Sequence, residues 1–146
     1  MTRLAEIAAQ SLGCDPRETP GAGAAGGLGF GLLSFCGAEL RSGFDVVAQM
    51  IDLRGEVERA EVVITGEGKL DRQTLEGKAP AGIARMARDL RKPVFAIVGQ
   101  ATDKLEPRQL FDGVQTLNDA AGDLRNTAEL LEIRARELAL RLREAM

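Results

Sequence analysis

Residues 62–80, VVITGEGKLDRQTLEGKAP, constrain the fold more than any other stretch of the chain. Val62, Val63, Ile64 and Thr65 form a short β-branched apolar run that suits a strand buried on both faces, and Gly66 and Gly68 are expected to end it. A polar loop with Glu67, Lys69, Asp71, Arg72, Gln73 and Thr74 follows, and Lys78 stands just ahead of a helix beginning near Pro80. In open α/β sheets, the end of a strand before the next helix is where ligands usually bind. Glycines, acids and three bases gathered there favour an anionic ligand with a metal, because amides and cations hold phosphate while carboxylates hold Mg²⁺. A solvated surface turn accounts for the same polarity.

After this loop, residues 79–90 read as an amphipathic helix with Ile83, Met86, Ala87 and Leu90 on one side. Val94 to Val98 is a second apolar run ending at Gly99, so strand, helix and strand should form one parallel unit. Both strands finish in glycine, which brings residues 66–68 and 99–103 to the same sheet edge. FDGVQTL, residues 111–117, is a candidate third strand. Asn126 and Glu129 can box the start of a final helix whose Arg and Glu face is expected to be solvated.

Before the central loop, residues 2–12 predict an amphipathic packing helix closed at Gly13. Ser42 and Asp45 predict a capped helix from about Gly43, and residues 53–59 a further short one. Between them lies GAGAAGGLGFG, residues 21–31, the most glycine-dense stretch. Its G-x-G-x-x-G spacing follows DPRETP rather than a strand, and no Gly-Lys-Ser/Thr follows, so neither a dinucleotide fold nor a P-loop is supported. Gly21, Gly23, Gly26 and Gly27 permit close backbone approach, either by a ligand or by a neighbouring element packed tightly against a small-residue helix.

ITGEG, the following D-x-Q-T and GK-x-P occur in that order in this chain, preceded by TPGAGAAGGLGFGLLSFCGAEL and followed by KPVFAIVG. In these motifs the sequence resembles the C-terminal part of the bacterial-type glycerate kinase family, strongly over residues 19–99 and weakly beyond. The resemblance implies ATP-dependent phosphorylation of D-glycerate to 2-phosphoglycerate, with Mg²⁺ beside the nucleotide. Asp71 is the acid placed nearest the chemistry, holding Mg²⁺ or the substrate hydroxyl, with Glu67 in reserve. Lys78, inside GK-x-P, and Lys69 would neutralise phosphate or carboxylate, and Thr65 and Thr74 hydroxyls would reach phosphate or metal. Gly66 and Gly68, with the four glycines of the earlier stretch, would let the ligand approach the backbone. Family members carry N-terminal segments without counterpart here, so the chain reads as part of an enzyme whose N-terminal half is a partner. The alternative is a family remnant, or a phosphate-binding module, without kinase activity.

Composition serves mainly to exclude. A net charge of −3 and only five aromatic residues, all Phe, argue against nucleic acid. No apolar run approaches the roughly 20 residues of a membrane span, and Glu6 interrupts any signal-peptide core, so the cytoplasm is the expected compartment. With no His, chemistry must rest on carboxylates, Lys, Arg and backbone dipoles. Cys14 and Cys36 fit reduced thiols. The reading is α/β, a parallel Rossmann-like sheet with flanking helices over residues 56–146. The Gly-rich helical segment of residues 1–55 would belong to a neighbouring or inserted domain. Apolar surface around Phe30, Leu33 and Phe35 is expected to drive homo-oligomer formation.

Overall fold

The computed structural model describes residues 2–72, 74, 77–101, 108–117 and 126–145. They form two compact units, Met1–Ser42 and Gly43–Met146. The division falls earlier than residue 55 because α3 (Gly43–Met50) and α4 (Leu53–Arg59) belong with the sheet: Val57 of α4 is buried in the sheet's own core.

In the first unit, α1 (Thr2–Leu12) buries Ala5 and Ala8 against Ala22 and Phe30 of the Gly-rich region. The helix α2 (Ala24–Cys36) is interrupted near its start, where Ala25, Gly26 and Gly27 take left-handed backbone angles (φ 49°, 69° and 97°). Glycine relieves the Cβ clash of that conformation at two of the three positions, and Ala25 bears it. This turn folds the chain back so that the Phe30 N–H donates to the Ala22 carbonyl at 2.8 Å. Phe30 is completely buried by it, against the expectation of an exposed apolar patch there, whereas Phe35 remains 62% exposed.

The second unit is α/β. Its strands β1 (Val63–Leu70), β2 (Val94–Ala101) and β3 (Gly113–Thr116) are all parallel in the order β1-β2-β3, with Val63 opposite Val94 and Val98 opposite Thr116. Helix α5 (Ala79–Asp89) starts with Pro80 in its first turn and packs Ala84 and Ala87 against Val63, Val94, Ala96 and Val98. Fully burying a side chain such as Val94 or Leu70 contributes about 1.5–3 kcal/mol. At Gly82 any Cβ would collide with the ring of Phe44, so α3 and α5 meet where only glycine fits. The last helix, α6 (Thr127–Ala145), lies on β2 and is charged along its length. Among the described residues no helix is long and apolar enough to cross a membrane.

Two expectations about the central strand are corrected. It does not stop at Gly66 but runs to Leu70, as β2 runs past Gly99 to Ala101. The glycines sit inside the strands because β1 and β2 approach too closely for side chains: a Cβ at Gly66 would lie 2.5 Å from the Ile97 carbonyl oxygen, and one at Gly99 2.5 Å from that of Gly68. Nor is β1 buried on both faces, since Ile64 is 52% exposed. The third strand is shorter than residues 111–117, leaving Phe111 in the core just ahead of it.

Candidate functional site

The charged residues of the central stretch converge at the carboxyl end of β1. Strand alternation places Val63, Thr65 and Glu67 on the face towards α5, so Glu67 is the point where the core side of the sheet turns polar. Its carboxylate is held rather than free. The Thr74 hydroxyl donates to Glu67 Oε1 at 2.8 Å and accepts from the Asp71 backbone N–H at 3.1 Å, while the Thr74 N–H donates to the Asp71 carbonyl at 3.0 Å. Thr74 is wholly buried, and burial raises the value of these bonds because an unmade one would leave a desolvated polar group.

Two lysines complete the cluster. Lys78 takes an extended backbone (φ −68°, ψ 154°) immediately before α5, which turns its Nζ to within 3.7 Å of Glu67 and 3.9 Å of Asp71. Lys69, the next residue on the Glu67 side of β1, reaches Asp71 at 3.9 Å. Glu67 is 12% exposed and Asp71 25%, while Lys78 and Lys69 are 43% and 65% exposed. The arrangement is a partly buried acid, a more accessible acid and two cations that can swing toward a ligand. Pairs this exposed contribute about 0–1 kcal/mol each to stability, so the lysines are available for other contacts at little loss.

The structure thus gathers Glu67, Lys69, Asp71, Thr74 and Lys78 into one site. Thr65 is not among them; it lies mid-strand opposite Ala96. Gly66 and Gly68 alternate with Glu67 along β1, and together with Glu67, Ile97, Gly99, Leu117 and Leu131 they line a cleft of about 540 Å³. Gly68 alone of these two strand glycines has open space where a Cβ would stand. Gly21, Gly23, Gly26 and Gly27 belong to the other unit. There Gly23 and Gly26 have nothing within 4 Å of a Cβ position, whereas Gly29 would meet the Gly21 carbonyl at 2.5 Å, so the packing role falls on a glycine outside the predicted set. Gln73 and Thr102 lie outside the described residues. What the sequence did not disclose was that Thr74 is the buried link between the two acids, although its i, i+3 spacing from Asp71 is the signal for such a turn.

As to metal, the described residues hold no group of three or more His, Cys, Asp or Glu. Two hard carboxylates, both within 4 Å of the Lys78 cation, are nevertheless the donor set that Mg²⁺ uses when phosphate supplies its other oxygens.

A parallel sheet carrying a charged loop at its carboxyl edge defines an α/β protein of the class that binds small ligands at strand ends. Within that class the chain belongs to the glycerate kinase family, whose model matches residues 1–144. It is 43% identical to glycerate 2-kinase of Escherichia coli K12 over 70% of this chain and 27% of that protein. It is 37% identical to glycerate kinase of Bacillus subtilis 168 over 99% of this chain and 40% of that one. A crystal structure of a protein assigned as glycerate kinase 2 from Salmonella typhimurium LT2 superposes with a TM-score of 0.73 at 37% identity, over 99% of this chain and 38% of that chain. The chain therefore spans between about a quarter and two fifths of the length of these relatives.

Proposed function

We propose that this chain supplies the phosphate-facing loop of a glycerate kinase that transfers the γ-phosphoryl of ATP to D-glycerate, giving 2-phosphoglycerate. The observation that carries the reading is the cluster of Glu67, Asp71 and Lys78 around the buried Thr74 hydroxyl, in a chain of this family. Phosphoryl transfer asks a protein to position two substrates and to neutralise charge on the moving group, which this cluster suits without any histidine.

Asp71 is the residue assigned to the chemistry, because it is the more accessible acid and its backbone is pinned by Thr74. It orients the acceptor hydroxyl or helps hold Mg²⁺, with Glu67 as the second oxygen donor. Bound there, Mg²⁺ would offset negative charge on the phosphates. Lys78, aimed between the two acids, and Lys69 neutralise phosphate or the glycerate carboxylate. In the first unit, Gly23 and Gly26 leave room for backbone approach by a ligand, and residues 2–42 are taken as part of a neighbouring or inserted domain. We place the reaction in the cytoplasm, where ATP is supplied.

The test is ATP consumption by the chain with D-glycerate and Mg²⁺, alone and with the portion of a glycerate kinase that it does not span, the product resolved by phosphorus NMR. The expected result is glycerate-dependent turnover only in the completed assembly. Failure of the completed assembly to phosphorylate glycerate would reject the kinase reading in favour of a binding module without activity.

A further inference from the structure

At the end of the sheet opposite the charged cluster, a second cavity of about 320 Å³ opens between β2, β3 and the last turns of α6. Phe95, the second residue of β2, lines it from the sheet, and a Cβ at the paired Gly113 would stand 2.9 Å from the Phe95 ring, so the glycine makes the room that the ring needs. Leu138, Arg141 and Leu142 stand at i, i+3 and i+4 on α6 and share one face, which sets a cation beside two leucines in the cavity lining.

Three polar groups of this lining have bonding capacity left over. Gln115 is paired with Ile97, and its side-chain oxygen is buried with no hydrogen-bond partner among the described residues. Buried acceptors are normally satisfied, because one left unmade loses its hydration without return. Arg141 likewise has neither an ion pair nor a hydrogen bond among the described residues. Arg134, two turns earlier on α6, is by contrast committed: its Nε donates to the Thr116 carbonyl at 3.0 Å and its guanidinium lies 3.1 Å from Glu137. Asp112 accepts from the Val94 N–H at 2.7 Å through one oxygen and lies 3.5 Å from Arg88 through the other; its side chain is 42% exposed, so lone pairs remain for a further donor.

We infer that this cavity binds a free α-amino acid with an apolar side chain. The ammonium donates to Gln115 Oε1 and to the Asp112 carboxylate, the α-carboxylate pairs with Arg141, and the side chain lies against Phe95, Leu138 and Leu142. A simple carboxylic acid would leave both acceptors unmet and bring its charge towards Asp112, and a simple amine would leave Arg141 unmet. A zwitterion answers both signs at once, with the apolar lining taking its side chain. A volume of about 320 Å³ stands at the small end of ligand cavities, which suits one amino acid better than a nucleotide. The inference does not depend on the kinase reading, since Glu67, Asp71 and Lys78 are at the other end of the sheet and take no part.

The test is isothermal titration calorimetry of the chain with L-leucine, L-valine and L-phenylalanine, beside isoamylamine and isocaproate, which are leucine without its carboxylate and without its ammonium. The expected result is saturable one-to-one binding of at least one amino acid at millimolar concentration, with both analogues at least about tenfold weaker. Arg141→Gln, at an exposed helix position, should weaken that binding at least about tenfold with the melting temperature unchanged. Gln115→Leu should weaken it as much while the melting temperature holds or rises, because an apolar group of similar size replaces an unmet acceptor. No saturable binding, analogues that bind as well as leucine, or binding indifferent to either folded variant would overturn the inference. If Gln115→Leu does not fold, Arg141→Gln decides. A fall in melting temperature in Gln115→Leu, with no amino acid bound by the unaltered chain, would overturn it in favour of a bound water at Gln115. Binding that Glu67→Gln abolishes and Arg141→Gln leaves intact would overturn it by placing the amino acid at the charged loop.

Discussion

The loop after β1 and the Gly-rich turn near the start of α2 looked alike in sequence, as two places where a ligand could approach flexible backbone, but they are built on opposite principles. In the loop, side chains organise the backbone: Thr74 is fully buried so that its hydroxyl can tie Glu67 to the Asp71 amide. In the turn, the backbone organises the side chains, since three left-handed residues reverse the chain and drive Phe30 into a small core with Ala5, Ala8 and Ala22. A site that must present charge needs polar anchors, which bury at a penalty unless each is satisfied. A turn that must reverse within a few residues needs glycine and little else.

The comparison is broken most severely at Asp71. In the completed assembly, Asp71→Asn should lower kcat about 10²- to 10⁴-fold with the melting temperature unchanged, since a group that positions a hydroxyl or metal acts mainly in the transition state. Near-normal turnover would remove Asp71 from the chemistry. Next in size is Thr74→Val, which leaves Glu67 Oε1 and the Asp71 N–H without their partner. It should destabilise the second unit by about 1–3 kcal/mol, read by urea titration. An unchanged midpoint would mean that the loop is held by something other than this hydroxyl.

Gly29→Ala tests the turn, for its methyl would stand 2.5 Å from the Gly21 carbonyl and should destabilise the first unit by about 1–3 kcal/mol. The paired variant Gly23→Val, at a position with open space, should alter stability by no more than about 0.5 kcal/mol while weakening nucleotide or glycerate binding in the completed assembly. The opposite pattern, lost stability with unchanged affinity, would make the whole turn a packing device. The smallest effect concerns Asp15, which Arg17 hydrogen-bonds at 2.7 and 2.8 Å and so holds below the ordinary carboxyl value of 3.8. A carboxyl depressed on folding stabilises above its unfolded value and stops doing so as pH falls through the folded one. Asp15→Asn should therefore lower the melting temperature slightly at neutral pH, with the gap to the unaltered chain closing below pH 3.8. Because the pair is solvent-exposed, a gap that persists in strong acid would show that the turn at Pro16–Glu18 depends on geometry rather than charge.

Much of the architecture was legible from local pattern. Period placed α1 at Thr2–Leu12, the Ser42 and Asp45 signature placed the start of α3 at Gly43, and Pro80 with the apolar spacing after it marked α5. The same logic misjudged β1, because Gly66 and Gly68 read as chain punctuation when taken alone. The presence of Gly66 within a strand is explained by the β2 backbone lying against it, a long-range fact that no window of neighbouring residues contains. It also misplaced Phe30, whose burial depends on the reversal at Ala25–Gly27 rather than on the spacing of Leu28, Leu32 and Leu33.

The sequence by itself determined the α/β class, the family and the identity of the charged residues, because hydrophobic periodicity and short motifs are properties of consecutive residues. Only the tertiary structure decided that Thr74 joins Glu67 to Asp71, that Lys78 lies between the acids while Thr65 stands apart, and that β1 pairs with β2 in parallel. Those are relations between segments, set by which strands pair and which faces are covered, and they exist only once the chain has closed on itself.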